Sequence, residues 1–354
     1  MDTDTASRPT LADVAARAGV SPSTASLAFS GTGPVSGATR EKVLAAAKEL
    51  HYAGPDPRAR SLRRGRSGIV GVVIDERVSE AFRDPVNIAM LDGVAEAIGE
   101  IDAAMLLLTG TTGSDTPVSL ETAPLDAVVL FGCSPTLERS VALLTQRGIP
   151  AVVIEGDAGD DVPEIALDNR EATRLGAEHL RELGHERVAI VALPLEPSRA
   201  RGPLTAARVD ASTVETAIER ARGAWDVFPD ARGVVTAASY VEEGVIAGRE
   251  LLGDGGGGDR PTAIIAQSDL LAAGVIRAAE ELGLTVPGDV SVVGFDGVAV
   301  DGLDYDLTTL SQPSQAKGRA AGDAVVRMLA GERPESVRFT STFHRGGTTA
   351  PPRA

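Results

Sequence analysis

The chain has 354 residues, 43% of them hydrophobic and only 3% aromatic, so an aliphatic core spread over about two or three domains can form. One cysteine, Cys133, excludes an internal disulfide and points to a reducing compartment, where it reads as a small buried hydrophobe. No apolar run reaches the roughly 18 residues a membrane span needs, and the acidic start MDTDTASRPT lacks a signal-peptide core, so a cytoplasmic protein is expected.

The formal net charge of −16 is unevenly divided. Residues 1–67 hold ten Lys+Arg against six Asp+Glu, whereas residues 68–354 hold 24 against 44. A small basic head on a large acidic body implies that only the head meets a polyanion.

In chain order, TLADVAARAGVSPSTASLAFSG (10–31) predicts two short helices. Thr10 caps the first, with Asp13 near the positive end of its dipole. Leu11, Val14, Ala15 and Ala18 share one face, and Gly19 supplies the turn. Ser21 caps a second helix over 22–29, and Pro22 takes the first helical position, where a missing N–H costs nothing. Helix, glycine turn and capped helix make a helix-turn-helix pattern. The second helix exposes Ser23, Thr24 and Ser26 near its N-terminus, the end that meets base edges and phosphates. A third helix, capped by Ser36, offers Val43, Leu44, Ala47 and Leu50 for packing. Pattern alone leaves a purely structural three-helix module as the alternative.

LADVAARAGVSPSTAS, VSGATREKVLAAAKELHY and ARSLRRGRSGIVGVV, in this order and spacing, closely resemble the DNA-binding head and hinge of LacI-type transcriptional regulators. The resemblance implies DNA contacts from Thr10, Ser21, Pro22, Ser23, Thr24, Ser26, Leu27 and Ser30. It also implies a hinge that folds into a short helix when a dimer sits on operator DNA, with a leucine from each protomer wedged into the central base step. Leu62 matches that leucine. A wedge that kinks the duplex is offset by added contact, and Arg58, Arg60, Arg63, Arg64 and Arg66 can neutralise phosphates, with Ser61 beside them. Alone, so like-charged a segment should not hold a helix. A flexible basic linker is the alternative. Family members usually carry Arg at the position of Leu27 and Asn at that of Ser30, and one extra residue lies between Tyr52 and Pro55. The operator should therefore differ from the common one, with weaker major-groove readout and more of the work left to the hinge.

Beyond Gly68, apolar runs such as GIVGVVI, AAMLLL, DAVVLF, PAVVIE, RVAIVAL, GVVTA, TAIIAQ and VSVVGFD read as buried strands. Helical patterns at 87–100, 136–148, 169–184, 241–252 and 269–283 alternate with them. This implies parallel sheets with helices on both faces, with ligands beyond the carboxyl ends of the strands. LDNREATRLGAEHLRELGHERVAIV, AQSDLLAAGVIRAAEELGLTVPGDVSVVGFD and LTTLSQP resemble the same family, whose body is similar to a periplasmic sugar-binding protein of two lobes. By that resemblance Asp269 and Asp296 contact an effector at strand ends, where each carboxylate can accept several hydroxyl hydrogen bonds. A helix N-cap role for Asp269 and a turn role for Asp296 are the structural alternatives. Arg220 in RARGAWDVF is a further effector contact, with Arg199 and Arg201 as lesser candidates. Asn87, with Val86, stands where many members carry an aromatic pair, which makes an ordinary hexose a less certain ligand.

No catalytic constellation is evident. His51, His179, His185 and His344 are scattered without a zinc set, so structural roles are expected for His179 and His185. The glycine-rich LLGDGGGGDRP follows a helix and precedes a strand, the reverse of a phosphate cradle. The expectation is an α/β protein. A three-helix helix-turn-helix domain (8–54) leads through a hinge (55–67) to a two-lobed, periplasmic-binding-protein-like body of parallel sheets flanked by helices (68–354). It would be a homodimeric repressor of near-palindromic double-stranded DNA, controlled by a sugar or sugar derivative, with no cofactor or metal, in the cytoplasm at the nucleoid. A solute-binding protein, or a body with enzymatic activity, are the competing classes. No C-terminal heptad run suggests a coiled-coil tetramer.

Overall fold

The computed structural model describes residues 9–31, 33–54, 65–74, 82–109, 118–132, 136–196, 198–253 and 260–353. Its chain divides into two compact units, meeting between Ser67 and Gly68.

The first unit holds α1 (Leu11–Ala18), α2 (Pro22–Ser30) and α3 (Gly37–Glu49). Each starts at a side-chain cap. Thr10 and Asp13 form a reciprocal capping box, the Ser21 hydroxyl accepts from Thr24 N at 3.1 Å, and Ser36 accepts from Thr39 N at 3.2 Å. Gly19 turns the chain at φ 68°. The core between the helices is thin: Val14, Ala15, Ala25, Ala28, Val43, Ala46 and Ala47 are buried. The sequence places Leu44 in this core, but the side chain is 44% exposed. Ala46 is buried instead, because the inward stripe of α3 runs through Val43, Ala46 and Ala47.

The second unit begins with a six-stranded sheet of β1 (Ile69–Ile74), β2 (Ala104–Thr109), β3 (Ala127–Phe131), β4 (Ala151–Ile154), β5 (Glu164–Leu167) and, late in the chain, β12 (Val337–Phe339). The spatial order is β12-β5-β4-β3-β1-β2, all pairs parallel. Helices α4 (Pro85–Gly99), α5 (Leu137–Arg147) and α11 (Ser314–Leu329) belong to this lobe. The second sheet comprises β6 (Val188–Ala192), β7 (Gly202–Pro203), β8 (Arg232–Val235), β9 (Ala263–Ala266), β10 (Ser291–Asp296), β11 (Thr308–Ser311) and β13 (Thr342–His344). Its order is β13-β11-β10-β9-β6-β8-β7, with antiparallel pairing at the two edges and parallel pairing within. Helices α6 (Asn169–Glu182), α7 (Ala206–Asp210), α8 (Glu215–Trp225), α9 (Val241–Gly253) and α10 (Asp269–Glu281) flank it.

Each sheet has a hydrophobic core on both faces, which is why its strands read as unbroken apolar runs rather than as alternation. In the first lobe α4 and α11 cross in very close approach. A Cβ at Gly318 would lie 2.0 Å from the Met90 carbonyl oxygen, so only glycine fits there. The chain passes between the lobes three times: at Asp168, at Gln312–Pro313 and at Thr340–Ser341. Two passages are tied together, with Asp168 Oδ1 accepting from both Ser341 N and Ser341 Oγ at 2.8 Å. His179 and His185 bond the C-terminal segment, through Thr349 and the Ala350 carbonyl respectively. No helix among the described residues is long and apolar enough to cross a membrane.

Candidate functional site: a cleft between the lobes

The carboxyl ends of strands from both sheets converge on one cleft of ≈ 130 Å³. Ile74 ends β1, Phe131 ends β3 and Glu155 follows β4 on one side. Leu193 follows β6, Ser239 lies beyond β8, Ser268 lies beyond β9 and Asp296 ends β10 on the other. Gln312 lines it from a lobe crossing. This is where parallel α/β sheets expose backbone ends and where ligands bind them.

At the back of the cleft a closed ring of side chains joins the lobes. Lys317, fully buried on α11, donates to Glu155 and to Gln312. Gln312 Nε2 donates to Asp296 Oδ1 at 2.6 Å, and Arg220 Nη1 lies 3.4 Å from the same oxygen. Arg220 Nε donates to Asn169 Oδ1 at 2.8 Å, and Asn169 Nδ2 donates to Glu155 Oε1 at 2.7 Å. Two carboxyl groups face two cations, so each buried cation has an acidic partner. The Arg220 guanidinium also lies 3.5 Å above the Phe295 ring and donates to the Gln267 carbonyl at 2.6 Å, which fixes its plane.

Electrostatics follow from the ring. Burial pushes the Glu155 carboxyl up, but Lys317 and Arg220 together pull harder and hold it below the ordinary glutamate value. For Asp296 burial wins over Arg220, and Asp84 adds repulsion, so its carboxyl is raised. Burial and the neighbouring Asp296 raise Asp269 as well. The backbone is strained here too. Glu155 (φ 57°), Arg199 (φ 51°) and Asp296 (φ 118°) all line the cleft in the left-handed half of conformational space, a cost that clusters at functional sites.

Of the residues the sequence assigns to the effector, Asn87, Arg220 and Asp296 line the cleft together. Asp269 does not. Its side chain is fully buried, Oδ1 accepting from Thr309 Oγ1 at 2.6 Å and Oδ2 from Val298 N at 2.8 Å, so the carboxylate pins the loop after β10. Nor is it the N-cap of α10, a role Ser268 fills. Arg199 lines the cleft, whereas Arg201 is turned to Glu243. Among the described residues Phe131 is the one aromatic residue lining the cleft. Sequence reasoning missed Glu155, Asn169, Thr216, Gln312 and Lys317. Thr216 is 5% exposed, and among the described residues its hydroxyl has no hydrogen-bond partner.

In the head, Thr10, Ser21, Pro22, Ser23, Leu27 and Ser30 are exposed, and Thr24 and Ser26 partly so. Arg58, Arg60, Ser61, Leu62, Arg63 and Arg64, and with them most of the expected hinge, lie outside the described residues, as does Cys133.

A capped helix-turn-helix and a two-sheet body with an interlobe cleft define a DNA-binding regulator of the effector-sensing type. Residues 10–54 match the model of the bacterial regulatory proteins of the lacI family, and residues 177–349 match a periplasmic binding protein-like domain. The chain is 32% identical to the HTH-type transcriptional regulator IpsA of Corynebacterium glutamicum, over 97% of this chain and 98% of that one. Among solved structures it is similar to a LacI family transcriptional regulator from the same organism (29% identity, TM-score 0.72, 96% of this chain and 98% of that one). It is also similar to a transcriptional regulator CelR–cellobiose complex (26% identity, TM-score 0.63, 96% and 100%). The chain belongs to the LacI family of transcriptional regulators, which are DNA-binding proteins rather than enzymes.

Proposed function

We propose that this regulator is a homodimeric repressor of a near-palindromic operator, released or engaged by a small polyhydroxylated effector, a sugar or sugar derivative, in the interlobe cleft. Residues 8–54 form the reading head, 55–67 a hinge that orders on DNA with Leu62 as its wedge, and 68–354 the sensing and dimerising body. It works in the cytoplasm, bound to the nucleoid. Two-fold symmetry in the protein would be mirrored in the operator, and closure of the lobes would change how the two hinges are spaced.

One observation carries the effector reading: Thr216 lines the cleft, and its buried hydroxyl has no hydrogen-bond partner among the described residues. A buried polar atom left so costs free energy, and a ligand hydroxyl would satisfy it. Asn87, Arg220 and Asp296 are the further contacts, while Asp269 holds the loop behind Asp296. The complex of the relative CelR with cellobiose supports a carbohydrate. A lining with one aromatic among the described residues favours a ligand held through hydroxyls rather than by ring stacking.

The test is selection of duplexes from a random pool by the full-length protein at near-physiological salt, with and without a panel of sugars. An enriched palindrome, weakened or strengthened by one sugar, is the expected result. No enrichment under any condition would overturn the operator reading. An enriched palindrome whose affinity no cleft-binding ligand alters would overturn the coupling.

A further inference from the structure

The exposed side of α2 carries an unexpected side chain. Residues 23, 27 and 30 are four and three apart, so they form one ridge along the helix, opposite the buried Ala25 and Ala28. Leu27, at the middle of that ridge, is 38% exposed. Its neighbours' hydroxyls are already engaged, Ser23 with Ser21 at 2.8 Å and Ser30 with the Leu27 carbonyl at 3.1 Å. The leucine is also braced. A Cβ on Gly33 would lie 3.1 Å from Leu27 Cδ2, and Gly33 sits at φ 95°, so the turn after α2 packs its bare backbone against the leucine. An isobutyl group is thus held in place on the face that a recognition helix presents to the major groove.

The only large apolar feature on base edges in that groove is the thymine 5-methyl group. We propose that Leu27 is a specificity-determining residue that reads a thymine methyl in each operator half-site. This rests on the operator-binding reading above. The leucine neither donates nor accepts a hydrogen bond, so its discrimination comes from the apolar area it removes from water against that methyl. Burying one methyl-sized group corresponds to about fourfold in affinity per half-site, and about fifteenfold for two.

The experiment uses the full-length protein and the operator recovered by selection, with each thymine replaced in turn, symmetrically in both half-sites, by deoxyuridine. This removes the methyl and leaves the base-pairing edge intact. Fluorescence anisotropy gives Kd for the wild type, Leu27→Ala and Leu27→Met. One symmetric thymine pair should cost the wild type about fifteenfold when demethylated. Leu27→Ala should bind the unmodified operator weaker by a similar factor and be indifferent to that replacement, while Leu27→Met should keep the sensitivity. If specific binding persists but no demethylation penalty disappears in Leu27→Ala, the leucine does not read a methyl. If the wild type binds no duplex specifically, the operator reading falls, and the inference with it.

Discussion

The head and the body solve the same problem in opposite ways. Among the described residues the head's buried side chains are two valines and five alanines, so its order depends on local devices: three side-chain caps and the left-handed glycines Gly19 and Gly31 that end α1 and α2. The body has a core on each face of two sheets, and its site is built from groups far apart in sequence. Glu155 and Lys317, for example, are 162 positions apart. A local change should therefore loosen the head slightly, whereas one deletion in the body should strand a charge.

That contrast breaks most clearly at Lys317. Lys317→Ala leaves the buried Glu155 without the cation that donates to it, with only the more distant Arg220 in compensation, and loss of one partner of a buried ion pair costs about 3–5 kcal/mol. Denaturant unfolding of the full chain should show this in the body's transition. The double variant Lys317→Met/Glu155→Leu should recover part of the loss, since replacing both charges removes their desolvation cost but takes away the partners of Asn169 Nδ2 and Gln312 Oε1. A single variant that loses under about 1 kcal/mol would show that water reaches Glu155 and that the ring is not dry. Thr216→Val is expected to act in the other direction. Removing an unpartnered buried hydroxyl should stabilise the ligand-free body by about 1 kcal/mol while weakening effector binding, a split that calorimetry and thermal unfolding read separately. If effector affinity is unchanged, the hydroxyl faces no ligand.

In the head the expected effect is of similar or smaller size and strictly local. Ser21→Ala removes the acceptor for Thr24 N and should cost about 1 kcal/mol, seen as faster amide exchange in α2 with no change in the body. Faster exchange throughout the protein would mean that the two units do not unfold independently.

Legibility divides along the same line. Thr10, Ser21, Pro22, Gly19 and Ser36 announce their helices because caps and turns are set by residues three or four apart. Eight strands are legible as apolar runs, but β5, β7, β11, β12 and β13 are short and mixed in composition and carry no such signal. The helix α11 was missed because Lys317, Arg319 and Gly318 interrupt its apolar stripe. Lys317 belongs to the site and Gly318 is required for the approach of α4, so the features that hid the helix are the ones that make the site. Gln312 stood within the quoted LTTLSQP segment without a role, since nothing local says that a glutamine will bridge Asp296 and Lys317. Asp269 and Asp296 look alike as strand-end aspartates. What separates them is Thr309 and the Val298 amide, which take up the first and leave the second facing the cleft.

The smallest expected effect is on pH dependence, at Glu164 on β5. Burial, then repulsion from Glu215, raises its carboxyl above the ordinary glutamate value, while its bond from Gly156 N at 3.3 Å offsets only part of this. The folded protein therefore holds this proton to higher pH than the unfolded chain does. Between the two values the folded state binds more protons, so this group's contribution to stability falls as pH rises from about 4.5. Glu164→Gln keeps an acceptor for Gly156 and removes the titration. Wild type and variant should match at low pH, where both side chains are neutral. The variant should become the more stable above the raised value, by under about 1 kcal/mol because the site is half open to solvent. Chemical denaturation at a series of pH values gives the difference directly. A gap that is constant across that range would mean that Glu164 titrates alike in both states. A gap that opens in the wild type's favour would mean that cationic neighbours such as Arg338, across the same cavity, outweigh the glutamates around it.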